Sequence, residues 1–126
     1  MLVSIFDFKC KNDSYNDCQD KVCTADFRMI TVDIRDGLNN PAILDNVETY
    51  LNGILVLTSI EPSVPMSSSY TVADDSMLQQ IGYNSSTLVT FKIYKNNQLV
   101  KTADYNIKTD CCHIEKISGD GQIIIN

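Results

Sequence analysis

Residues 88–94 read Leu88-Val89-Thr90-Phe91-Lys92-Ile93-Tyr94, with Val89, Phe91 and Ile93 falling on one side. That period of two is what a half-buried strand requires, because successive side chains point to opposite faces. Asn96-Asn97 then turns the chain, and residues 99–108 return it. Asparagine tolerates the left-handed backbone that such a turn needs. The stretch is a hairpin, and the rest of the chain reads the same way.

Upstream, Ile30, Val32 and Ile34 alternate with Thr31, Asp33 and Arg35, and Asp36-Gly37 and Asn39-Asn40-Pro41 end the strand. Residues 42–51 alternate more weakly. Asn52-Gly53 follows, a strong two-residue hairpin signal because a type I′ turn needs positive φ at both positions. Residues 54–60 (ILVLTSI) form the returning strand, residues 61–69 carry Pro62, Pro65 and Ser67-Ser68-Ser69 as a loop, and residues 70–73 form a short strand. Residues 74–82 hold the one helix-like pattern, with Met77, Leu78 and Ile81 on one face, Asp75 or Ser76 as cap and Gly82 as stop. Downstream, residues 111–117 read as a strand, Ser118-Gly119-Asp120-Gly121 as a tight turn, and residues 122–125 as the last strand.

The expectation is therefore an all-β antiparallel sandwich of about seven to eight strands, immunoglobulin-like or transthyretin-like, with at most one short helix. Strands do not alternate with long helical segments, which excludes α/β architectures. With 126 residues the chain makes one domain. We divide it at residue 20: a signal remnant and tether over 1–20, Asn/Asp-rich from Lys11 onward, then a sandwich over 21–126. The net charge of −6 argues against nucleic acid and anionic membranes as partners.

Five cysteines decide the compartment: Cys10, Cys18, Cys23, Cys111 and Cys112. An apolar start, Met1 to Phe8, precedes Cys10 directly. It reads either as the end of a signal peptide with Cys10 as the lipidated residue, or as a hydrophobic strand with a structural cysteine; the linker-like residues after it favour the first. The other four cysteines then pair. A bond between neighbours Cys111 and Cys112 is disfavoured, since adjacent strand residues diverge. Both remaining connectivities tie Cys18 and Cys23 to Cys111 and Cys112, closing loops of roughly 90 residues worth about 4–5 kcal/mol for the first bridge on the chain-entropy model. The competing reading is a small zinc-binding or thiol-active protein centred on Cys111, Cys112 and His113, the zinc held by Cys18, Cys23, Cys111 or Cys112, and His113, although four residues between Cys18 and Cys23 is an unusual ligand spacing.

Catalytic patterns are absent from the sequence. His113 is the sole histidine, and no motif sets a nucleophile or carboxylate pair around it. Ser67-Ser68-Ser69 lacks the context of a hydrolase elbow. The acidic pairs Asp74-Asp75 and Asp33 with Asp36 lack a calcium-loop pattern and read as solvated carboxylates. Asn12 and Asn84 begin glycosylation sequons. Tyr50, Tyr70, Tyr83, Tyr94 and Tyr105 are scattered, as expected of packing at sheet edges.

Three segments carry a resemblance: Cys23-Thr24-Ala25-Asp26-Phe27-Arg28-Met29-Ile30-Thr31-Val32, Pro41-Ala42-Ile43-Leu44-Asp45, and Asp110-Cys111-Cys112-His113-Ile114 with Ser118-Gly119. Together they resemble a group of small Bacteroidota envelope lipoproteins, itself similar to carboxypeptidase-regulatory-like and other immunoglobulin-like sandwiches. The resemblance implies export, a lipidated N-terminal cysteine and disulfides, and no enzymatic activity or cofactor. Asp75-Ser76-Met77 looks like the O-glycosylation motif of that phylum's exported proteins. The expected protein is a non-catalytic module in the outer membrane or periplasm. Its partner would be an envelope protein or glycan, met by the loops at residues 61–69 and 74–82, and its membrane contact would run through Cys10 alone.

Overall fold

The computed structural model describes residues 18–126. Among them lie eight strands in two sheets: β1 (Met29–Arg35), β2 (Asn46–Leu51), β3 (Ile54–Ser59), β4 (Ser69–Asp74), β5 (Ser86–Lys95), β6 (Gln98–Thr109), β7 (Ile114–Ser118) and β8 (Gln122–Ile124). A 3-10 turn (Asp75–Met77) and a one-turn helix, α1 (Leu78–Ile81), follow β4. The small sheet has the order β4-β1-β8 and the large sheet the order β3-β2-β5-β6-β7.

The alternating positions become the two inner faces. Ile30, Val32 and Ile34 of β1, with Val72 and Ile123, face Val47, Leu51, Val89, Phe91, Ile93, Tyr105 and Ile107 of the large sheet in one core. Phe91 and Tyr105 meet edge to face, with ring centroids 6.2 Å apart, a geometry that adds to simple burial. Thr49 is the polar exception on β2; its hydroxyl donates to the Val72 carbonyl and so bridges the two sheets.

Every exposed sheet edge is interrupted. The extra residue of a bulge is Val56 in β3, Val72 in β4 and Ile117 in β7. The fourth edge strand, β8, has three residues. Bulges and short edges deny another chain a regular row of backbone partners.

Three expectations change. The sandwich is not wholly antiparallel: β8 joins the small sheet parallel to β1, with Ile34 opposite Ile123. The segment 118–121 is thus a crossover between layers, which Gly119 makes possible. Its φ is 138°, and a Cβ there would lie 2.1 Å from the Tyr105 ring, while the Tyr105 hydroxyl donates to the Asp120 carbonyl at 2.6 Å. Second, Cys111 to His113 form a bend, and the strand begins at Ile114. Third, the cap before the short helix is Asp74, whose carboxylate accepts from the Ser76 N–H at 3.0 Å.

Gly119→Ala should destabilise the protein by about 2–4 kcal/mol, from left-handed backbone and overpacking together. Gly53→Ala, with φ at 79° but nothing within 4 Å, should cost only the backbone part, about 1 kcal/mol. Paired urea titrations check the difference; equal costs would show that the crossover does not rest on Gly119.

Candidate functional site

The chemistry-bearing residues gather at one corner, where the bend at 111–113 meets the segment 18–28 and the turn after β4. Cys18 is bonded to Cys111 and Cys23 to Cys112, with Cα–Cα distances of 5.1 and 5.3 Å. Asp110 makes the bend: its Oδ1 accepts from the N–H groups of Cys112 (2.7 Å) and His113 (2.8 Å), and its own N–H donates to the His113 carbonyl at 3.1 Å. Those two donated hydrogen bonds hold its carboxyl below the ordinary carboxylate value. Two adjacent cysteines can each reach a different partner because they sit in this bend. Cys10, the lipidation candidate, and Asn12 lie outside the described residues.

His113 points inward from the bend and is 6% exposed. Its Nδ1 lies 2.6 Å from Asp75 Oδ2, and its Nε2 lies 2.9 Å from Thr24 Oγ1 and 3.6 Å from Asp26 Oδ1. Asp75 is the hub of the corner. It also accepts from the backbone N–H of Arg28 and of Ile114, each at 2.9 Å, so one carboxylate ties β1, β7 and the turn after β4 together. Burial pushes its pKa up, but the donors at Arg28, His113 and Ile114 outweigh that and hold it below the usual range. Asp26 is lowered to about 2 by the hydroxyl of Thr24 first and the guanidinium of Arg28 second; the Arg28 Nε sits 3.1 Å from it.

Asp75, His113 and Thr24 follow the order carboxylate, imidazole, hydroxyl found in acyl-transfer triads. The proton decides what the arrangement does. A nucleophile aims its hydroxyl proton at the imidazole, whereas the single hydroxyl proton of Thr24 has two neighbours, His113 Nε2 and the Asp26 carboxylate. The corner holds the segment 18–28 against the sandwich. Metal ligation finds no ready set either. The sulfurs of Cys111 and Cys112 are in disulfides, both nitrogens of His113 have protein partners, and among the described residues no group of three or more His, Cys, Asp or Glu could hold a metal ion.

Several acidic residues are not the solvated loop groups the sequence suggested. Asp75 is the buried partner of His113, and Asp33 accepts from Ser68, Arg35 and Gln122 on the small sheet. The signal for Asp75 was its place between the buried pair Val72-Ala73 and the fully buried Met77, two residues from each. Nothing local to Thr24 or Asp26 announces their role, since the contact spans 89 residues of sequence. The tyrosines divide. Tyr70 and Tyr105 are buried; Tyr50 and Tyr94 are half-buried on the large sheet, where Tyr50 donates to Glu48 at 2.7 Å and Lys92 lies 4.5 Å from its ring centroid. Tyr83 lines a shallow hollow with Cys18, Gln19 and Cys111.

Two long-range disulfides mark a chain that matures in an oxidising, exported setting. Among the described residues no helix is long and apolar enough to cross a membrane. No family model, curated protein or solved structure matches the chain.

Three lowered carboxyls meet here: Asp26, Asp75 and Asp110. A carboxyl depressed in the folded state stabilises above its unfolded value and loses that contribution as pH falls through its folded value. Thermal stability should therefore drop as pH is lowered from the ordinary 3.8 toward about 2, the value for Asp26. Asp75→Asn should lower stability by about 2 kcal/mol at neutral pH and flatten the acid decline. A variant with the wild-type pH profile would remove Asp75 from the account.

Proposed function

We propose that this is a non-catalytic, exported envelope protein of the Bacteroidota lipoprotein type, anchored through an acylated Cys10 and serving as a binding module for a protein or glycan of the envelope. The observation that carries the reading is the separation of the two poles of the sandwich. The segment that leads back toward Cys10 is bonded at the pole holding the 110–113 bend, the β2–β3 turn and α1. The opposite pole carries the loops 36–45 and 60–68, the β5–β6 turn and the C-terminus. Asp45 joins two of these by accepting from the Asn97 N–H while donating its own N–H to the Tyr94 carbonyl.

That far pole exposes Leu38, Ile43, Ile60, Val64 and Met66, with Ile43 85% and Met66 99% accessible. Loops on a rigid sheet scaffold are the usual carriers of recognition. The loop at 61–69 fits this role. The segment 74–82, the other loop expected to meet a partner, lies at the other pole, where Met77 and Asp75 are taken up by packing and by His113; the loop 36–45 shares the pole of 61–69.

Intact mass of the protein isolated from cell envelopes tests the reading. The expected product begins at Cys10, carries acyl chains, and gains four hydrogens on reduction of the two bridges. In parallel, a photo-cross-linking residue at position 66 should give one discrete envelope adduct, and one at position 22 should not. A cytosolic, unacylated chain, or identical adduct patterns from both positions, would overturn the proposal.

A further inference from the structure

We propose that residues 18–27 form a redox-operated latch, opened by a dithiol reductant while the sandwich stays folded. The first observation is what this segment does not bury. Residues 19–28 are exposed throughout, with Val22 96% and Phe27 56% accessible, and none joins the core. Its attachment is instead covalent and polar. It consists of two disulfides, the contacts of Thr24 and Asp26 with His113, and the pairing of Arg28 with Asp75 where β1 begins.

The second observation is that both bridges end on one bend outside the ladders, since Cys111 and Cys112 lie between β6 and β7. Opening them removes no strand pair and no core side chain. Elements held by few buried contacts open at low free energy, separately from the core. The polar contacts that remain are few: the Thr24–His113 hydrogen bond, an exposed Asp26 carboxylate near the ring, and Arg28 on Asp75 where β1 begins; once the bridges open they face the conformational entropy of ten freed residues.

The step balances with one dithiol per bridge. A thiolate of the reductant attacks the exposed Cys23 sulfur, and Cys112 leaves as a thiolate and takes up a proton. The second thiol of the reductant then closes its own disulfide and releases Cys23. A second dithiol opens Cys18–Cys111 in the same way. The open form presents two adjacent thiols, Cys111 and Cys112, beside an uncovered His113.

His113 is the only histidine of the chain, which makes it a clean reporter. The test treats the whole protein with dithiothreitol under native conditions and then with diethyl pyrocarbonate, while amide exchange is followed by mass spectrometry. The expected result is carbethoxylation of His113 accelerated on the order of tenfold or more, as local opening requires, with β5 and β6 keeping their amide protection. A variant with all four cysteines changed to serine should behave as the reduced protein. Loss of protection in β5 and β6 on reduction would overturn the proposal, as would a His113 that stays unreactive after both bridges have opened.

Discussion

Two covalent bonds on consecutive residues, Cys18–Cys111 and Cys23–Cys112, fix where the chain enters the sandwich. A single bridge would leave residues 18–28 free to pivot; two bridges to one bend fix position and direction together. The chain-entropy model assigns about 4–5 kcal/mol to the first loop of this length and less to the second, since the first closure has already removed most of the freedom. Around that covalent frame the polar contacts have a fixed geometry to act in. Asp75 can accept from Arg28, His113 and Ile114 at once because those groups are held in place by β1, β7 and the bend.

The rest of the architecture follows from how each layer is closed. The core is a continuous set of β-branched and aromatic side chains from both sheets, and the bulges at Val56, Val72 and Ile117 keep the edges from recruiting further strands. The crossover at Gly119 takes the last strand from the large sheet to the small one, where it covers the free side of β1. One pole of the result is locked by sulfur and carboxylates. The other carries the loops 36–45 and 60–68, where no such lock is built and Leu38, Ile43 and Met66 stand exposed.

Much of this was legible in the sequence because the signals were local. Ile30, Val32 and Ile34, the Asn52-Gly53 turn and the hairpin around Asn96-Asn97 each specify strand or turn within a few residues, and each stands where expected. The meeting of Cys18 and Cys23 with Cys111 and Cys112 was legible too, because adjacent cysteines disfavour a bond to each other and an exported chain pairs its thiols. What escaped was set by contacts far apart in the chain. Ser118 to Gly121 looks like any tight turn until the Tyr105 ring beneath Gly119 is seen. Cys111 to His113 reads as a strand by composition, yet Asp110 bends it by accepting two backbone N–H groups. Asp75 reads as a solvated loop residue until His113, 38 residues later, arrives beside it. The hydroxyl and carboxylate of Thr24 and Asp26 had no local mark at all.

The claim on which all of this rests is the pairing of the four cysteines. Peptide mapping of the unreduced protein, with electron-transfer fragmentation that breaks the backbone between Cys111 and Cys112, reads that pairing directly. The account predicts Cys18 linked to Cys111 and Cys23 linked to Cys112, with no free thiol among the four. A bond between Cys111 and Cys112, a bond between Cys18 and Cys23, or four alkylatable thiols in the exported protein would contradict it.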